Sequence, residues 1–166
     1  MSRRRKITVL GIVATAVAAP AAAAPLVKDV AFGMVAQGDG SASSLTKAND
    51  LVVRSQKRWH EIWNQLNAGV QTMPPTGAQY QPPPAVDFKR RMLLVVLQGQ
   101  RRSGGYSIAV TRVTKVAGQL VAKVEEQSPG PSCFTTQQIT SPYHVVSVPR
   151  SARAVVFRHR AGTTQC

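Results

Sequence analysis

The stretch from Gln98 to Val110 places two arginines beside a serine and a glycine pair, residue types that often hold anions. In phosphate-binding loops the glycines lead from a strand into a helix, whose N-terminal N–H groups bind the anion. Here the residues after Gly105 alternate as in a strand, so the pattern does not fit a phosphate loop. The remaining alternatives are a tight connection between strands and a surface loop with a function.

The acidic and histidine side chains form no local catalytic or metal-binding motif. Glu125 and Glu126 are the adjacent acids, and neighbours on a strand point to opposite sides, so they cannot form a glycosidase pair by themselves. His60, His144 and His159 lack the spacing of a metal site, and GDGSAS is not a nucleophile elbow. The sequence therefore predicts no enzyme activity, no metal and no cofactor.

Residues 1–23 have the layout of a secretory signal peptide. A basic start, MSRRRK, precedes the apolar run Ile7–Ala19 and the small residues Ala21 and Ala23. The apolar run is shorter than the roughly 20 residues of a spanning helix. We therefore expect export to the periplasm, the cell envelope or the extracellular space, with membrane contact only through this segment. A twin-arginine route and a retained N-terminal anchor are the alternatives.

The chain is strongly basic, with a net charge of +14. Removal of the four basic residues of the predicted signal peptide leaves 21 − 4 = 17 basic residues against 7 acidic ones, a net charge of +10. In a cytosolic protein this charge would indicate nucleic acid. An exported protein meets envelope lipids, wall polymers and acidic proteins instead, so no nucleic-acid partner is expected. A basic surface that only maintains solubility is the alternative.

Cys133 and Cys166 are the two cysteines of the chain. An exported protein meets an oxidising compartment, which makes them candidates for a disulfide. The alternative is a buried Cys133 and a free Cys166 at a loose chain end.

One segment has clear helical periodicity. Its apolar stripe consists of Trp59, Ile62, Trp63 and Leu66. Ser55 is the predicted N-cap and Gly69 the predicted C-terminal stop. The spacing favours core packing of the tryptophans over a ligand-stacking role. The proline-rich segment Thr72–Ala85 is interpreted as a surface crossover, with a polyproline ligand as the alternative.

The rest of the chain has strand patterns. Val27–Gln37 and the run DLVVRS predict a hairpin, and Arg91–Gln98 predicts a central strand buried on both faces. Alternation after the glycines places Tyr106, Ile108 and Val110 on one face together with Arg112. Further strands with short links predict antiparallel neighbours. The fold class is α+β, a single domain with one amphipathic helix packed on a largely antiparallel sheet.

The predicted domain organisation has four parts: a signal peptide at 1–23, an N-terminal strand and turn region at 24–49, an α+β domain at 50–160, and a C-terminal tail at 161–166. Within the third part, VDFKRRMLLVVLQGQRRSGGYSIAV and PGPSCFTTQQITSPYHVVSVPRS resemble the C-terminal domain of the PrcB family. With the helix around RWHEIWNQL, the resemblance covers roughly residues 50–158. It implies a non-enzymatic accessory protein that binds and stabilises a protease complex at the cell surface or in the envelope.

The residues expected to contact a protein partner are Arg101, Arg102 and Tyr106, because arginine and tyrosine are enriched at interface hot spots. Tyr106 has core packing as its alternative. Gly99, Gly104 and Gly105 are expected to serve the geometry of the turn. Two other functions stay open: an envelope polyanion-binding protein, and an exported hydrolase with a scattered site. The sequence leaves the oligomeric state undetermined.

Overall fold

A computed structural model describes residues 26–71 and 81–166, so the predicted signal peptide and most of the proline-rich segment lie outside the described residues. The described chain contains eight strands and two helices. In order they are β1 Lys28–Asp29, β2 Gly33–Gly38, β3 Asn49–Val53, α1 Gln56–Leu66, α2 Ala68–Gln71, β4 Arg91–Leu97, β5 Ser107–Val116, β6 Gln119–Pro129, β7 Tyr143–Pro149 and β8 Val155–Thr164.

The strands form two four-stranded sheets, which corrects the predicted single sheet. Sheet A has the order β1-β5-β6-β8, and sheet B has the order β2-β7-β4-β3. All pairings are antiparallel except that of β6 with β8, which is parallel. The chain crosses between the sheets after β1, β4, β6 and β7. The links from β4 to β5 and from β7 to β8, which predicted neighbouring strands, therefore join different sheets. The broad α+β class holds, with strand as the dominant element.

The layers pack as helix on sheet B and sheet B on sheet A. Between the sheets lies a core of apolar side chains from β4, β5, β6 and β7, with Val155 and Phe157 of β8 packed against it. On its other face, sheet B packs against α1. Strand β4 contributes Met92, Leu94 and Val96 to the first core and Leu93, Val95 and Leu97 to the second. The prediction of a central strand buried on both faces is confirmed.

Helix α1 buries the predicted stripe of Trp59, Ile62, Trp63 and Leu66. Ser55 caps its start, where its hydroxyl accepts a hydrogen bond from the Arg58 N–H. The predicted stop at Gly69 is wrong. The helix ends at Leu66, with Asn67 as its C-cap, and Asn67 donates its side-chain amide to the Trp63 carbonyl. Gly69 lies in the short α2.

Both tryptophans belong to the core, as the helical spacing predicted. Their ring centroids are 5.3 Å apart, and both side chains are buried. The indole N–H of Trp59 donates to the Pro84 carbonyl, and that of Trp63 donates to the Gln81 carbonyl. These two hydrogen bonds therefore connect the end of the proline-rich segment to the helix.

Two further strand predictions are wrong. Strands β2 and β3 do not form a hairpin, because β7 and β4 lie between them in sheet B. Arg112 does not share the face of Ile108 and Val110, because the pairing of β5 with β6 shifts between Val110 and Arg112. This bulge places one extra residue in β5, so Val113 is buried and Arg112 is exposed. Strand β8 continues to Thr164, so most of the predicted C-terminal tail is strand.

No helix among residues 26–71 and 81–166 is long and apolar enough to cross a membrane.

Candidate partner-binding site

The loop of residues 98–106 leaves sheet B at the end of β4 and enters sheet A at the start of β5. It is therefore a crossover between two sheets and not a hairpin turn. Gly99 and Gly105 have φ angles of 77° and 85°, a region that favours glycine. Gly104 meets a different constraint, because a Cβ there would collide with the Thr136 hydroxyl oxygen.

This crossover packs against a second loop, residues 130–142, between β6 and β7. Arg101 and Thr140 exchange two backbone hydrogen bonds, of 2.7 and 3.0 Å. The Gly104 N–H donates to the Thr136 carbonyl at 3.0 Å, and the Thr140 hydroxyl donates to the Ser103 carbonyl at 2.9 Å. We call these two mutually bonded loops the two-loop platform.

The three predicted contact residues differ in solvent exposure and in the contacts of their side chains. The guanidinium of Arg101 lies 5.5 Å from the centre of the Tyr106 ring, and both side chains are half-buried. This cation–π contact holds the two side chains against each other. The Nε atom of Arg101 is buried and has no hydrogen-bond partner among the described residues. Arg102 is exposed, which leaves its charge at the surface of the platform.

Two exposed apolar residues of the second loop were not among the predicted contact residues. Phe134 is fully exposed and Ile139 is 60% exposed. Phe134 follows Cys133, which forms a disulfide with Cys166 across a Cα–Cα distance of 5.2 Å. The signal in the sequence was an aromatic residue beside a cysteine in a segment that has neither helical nor strand periodicity.

The disulfide fixes the second loop to the end of β8. Next to it, the Gly130 N–H donates to the Thr164 carbonyl at 3.1 Å, and the Cys133 N–H donates to the Gly130 carbonyl at 3.0 Å. A side chain at Gly130 would lie 2.6 Å from the Thr164 carbonyl oxygen, so the strand and the loop are in close contact. Phe134 is therefore presented from an anchored backbone.

A polar cluster lies at the same end of the sandwich. His159 of β8 contacts Glu126 of β6 through Nδ1 at 2.6 Å and Asp50 of β3 through Nε2 at 2.8 Å. Burial lowers the pKa of His159, but the hydrogen bonds to Asp50 and Glu126 outweigh it and raise the pKa above its ordinary value. Both ring nitrogens engage carboxylates, so the ring is not positioned to activate a hydroxyl or thiol nucleophile.

A buried histidine, His144, lies on β7. Its Nδ1 accepts a hydrogen bond of 2.9 Å from the Val110 N–H at the bulge of β5, so the contact joins sheet B to sheet A. Burial lowers the pKa of His144, which favours the neutral ring. Among the residues that the structure describes, no group of histidine, cysteine and acidic side chains is arranged to hold a metal ion.

The two-loop platform lies between β4 and β7, and the comparison with protein families concerns the same segment. Residues 92–149 match the model of the PrcB C-terminal family. The resemblance stated from the sequence is confirmed over these residues, a shorter range than the expected 50–158.

The PrcB C-terminal match includes the whole two-loop platform. Strand β3, helix α1 and all of β8 lie outside it. No curated protein and no solved structure matches the chain.

Proposed function

We propose that this chain is an exported, non-enzymatic accessory protein that binds and stabilises a protein partner through the two-loop platform. The observation that carries the proposal is that Arg102, Phe134 and Ile139 are exposed on two mutually bonded loops, inside the PrcB C-terminal match. An anchored loop loses little conformational entropy on binding, which favours affinity. Aromatic and arginine side chains are also enriched among interface hot spots.

The family name connects such a domain with a protease complex, and the partner proposed here is an exported protease or one of its subunits. A non-catalytic role agrees with the accessory character of the family. Export is supported by the signal-peptide pattern of residues 1–23 and by the disulfide, a bond that persists in oxidising compartments.

The test is a pull-down from envelope extract with the tagged chain and two matched double variants. Arg102→Ala with Phe134→Ala removes one exposed cation and one exposed apolar residue from the platform. Lys57→Ala with Met34→Ala removes the same classes of side chain from α1 and β2, where both are exposed. We expect a specific protein to be captured by the wild type and by the α1/β2 variant, and at least 10-fold less by the platform variant.

The proposal is wrong if no specific protein is captured at low or moderate salt, or if both double variants lose the partner equally. Equal thermal unfolding midpoints of the three proteins verify that the comparison measures binding. Stabilisation is measured separately, as the lifetime of the captured protein with and without the chain.

A further inference from the structure

The end of the sandwich opposite the two-loop platform carries a concentration of basic side chains. Lys28, Arg54, Lys115, Arg150 and Arg153 converge there from β1, the end of β3, β5 and the link between β7 and β8. We call these five residues the basic end. Lys28 and Lys115 are direct cross-strand partners, an arrangement of like charges that costs stability.

The arginines of the basic end are fixed by backbone carbonyls and not by carboxylates. Arg54 donates to the carbonyls of Ser151 and Arg153 at 3.1 and 3.2 Å. Arg150 donates to the carbonyls of Arg54 and Phe88 at 2.9 and 2.7 Å. Arg153 donates to the Gly118 carbonyl at 2.8 Å. A guanidinium has five N–H donors, so these bonds position each group while leaving its charge and further donors for an anion.

Two acids near this end, Asp29 and Asp87, are paired with cations that do not belong to it, although Asp29 itself lines the cleft between the basic residues. Asp29 receives two hydrogen bonds from Arg112, at 2.7 and 2.9 Å, and these hold its pKa below the usual range. Asp87 accepts from the Arg90 side chain at 2.8 Å and from the Lys89 N–H at 3.0 Å. Each acid therefore compensates a cation outside the basic end.

Apolar surface accompanies the charge. A cleft at this end is lined by apolar, basic and other polar residues. The apolar ones are Val30, Ala31, Leu120 and Pro149, the basic ones are Lys28, Lys115, Arg150 and Arg153, and the others are Asp29 and Ser151. Beside Lys28, the chain presents Leu26 and Val27, which are 93% and 58% exposed. Both residues lie after the predicted cleavage at Ala23, so they belong to the exported chain in either processing state.

We propose that the basic end docks on an anionic phospholipid surface. Fixed, uncompensated guanidinium groups suit phosphate headgroups, and the exposed leucine–valine pair suits the interfacial layer beneath them. Each basic residue near such a surface raises the affinity of the protein for it roughly 5-fold. This contact extends the sequence-based expectation, which confined membrane contact to the N-terminal segment, and it leaves the two-loop platform pointing away from the lipid.

The experiment is co-sedimentation of the full chain with vesicles of phosphatidylcholine, with and without added phosphatidylglycerol. The basic N-terminal segment also binds anionic lipid more strongly, so the readout is the difference in the gain on adding anionic lipid between chains that share the segment. Lys28→Gln with Lys115→Gln removes two charges that make no side-chain bond in the fold described here. We expect the gain of this variant to be smaller than that of the wild type by a factor on the order of 10.

A matched control, Lys47→Gln with Arg160→Gln, removes the same charge from exposed positions outside the basic end and is expected to keep at least half of the gain. The gain should also fall as salt rises, because screening weakens exposed charges. The proposal is overturned if anionic lipid gives no gain, or if the control loses as much as the basic-end variant. Binding to soluble polyglutamate without any gain on anionic vesicles would also overturn it, in favour of an acidic polymer.

Discussion

His159 and Asp50 lie on strands of different sheets, yet Nε2 of His159 is 2.8 Å from Oδ2 of Asp50. The opposite ring nitrogen contacts Glu126 on sheet A, so a protonated ring donates one hydrogen bond to each carboxylate. His144 also joins the sheets, through the Val110 N–H, but it requires a neutral ring. The sandwich thus contains two intersheet histidine contacts with opposite protonation requirements.

The first prediction concerns His159. The hydrogen bonds to Asp50 and Glu126 outweigh burial and raise its pKa, so the folded chain holds the proton above the ordinary pKa of about 6.5. The stabilising contribution is full below pH 6.5 and is lost as the pH rises through the raised pKa. We expect His159→Gln to lower the melting temperature at pH 5.5 more than at pH 8.5, measured by thermal unfolding across this range. A pH-independent effect would contradict the assignment.

The second prediction concerns His144, whose pH dependence has the opposite sign. Burial lowers its pKa, so the unfolded chain takes up a proton near pH 6.5 while the folded chain does not. Stability is full above that pH and decreases as the pH falls below it. His144→Leu leaves the Val110 N–H without its acceptor, at an expected cost of about 1–3 kcal/mol at pH 8. His144→Asn offers an amide oxygen as acceptor, so its loss of unfolding free energy should be smaller. Urea titrations of both variants at pH 8 measure the two losses.

The third prediction concerns the disulfide. Cys133 and Cys166 are 33 residues apart, and closing a loop of this length in the unfolded chain corresponds to about 3–4 kcal/mol of stability. We expect the double variant Cys133→Ser with Cys166→Ser to lose an amount of this order in urea unfolding. Reductant should destabilise the wild type to the same level and leave the variant unchanged. Equal stability of oxidised and reduced wild type would refute the prediction.

The fourth prediction compares two glycines with similar backbone angles. Gly99 and Gly118 have φ angles of 77° and 82°. A Cβ at Gly99 would lie 2.7 Å from the Ala48 backbone nitrogen, whereas at Gly118 the nearest atom is a side-chain nitrogen of Arg153, at 3.5 Å. Gly118→Ala should cost about 1–2 kcal/mol from its φ angle alone, and Gly99→Ala clearly more. Urea unfolding of both variants measures the difference, and equal costs would show that Ala48 can move away.

Local pattern was sufficient for the elements whose neighbours are set by the chain itself. The 3.6-residue spacing of Trp59, Ile62, Trp63 and Leu66 gave the buried face of α1, and the unbroken apolar run gave β4 as a strand covered on both sides. The resemblance to the PrcB C-terminal family was also visible in the sequence, and the family model matches residues 92–149. The predicted contact residues Arg101, Arg102 and Tyr106 lie on the two-loop platform.

Strand patterns contain no information about which sheet a strand joins. The run after Gly105 would alternate in the same way beside β4 or in sheet A. It joins sheet A, where its apolar side chains are buried between the two sheets. The parallel pairing of β6 with β8, the bulge that turns Arg112 outward, and the convergence of Lys28, Arg54 and Arg153 are decided in the same way, by contacts between distant residues. The sequence determined the helix, the strands and the basic charge. The tertiary structure decided where that charge lies and which loops meet, because both depend on how the two sheets pack.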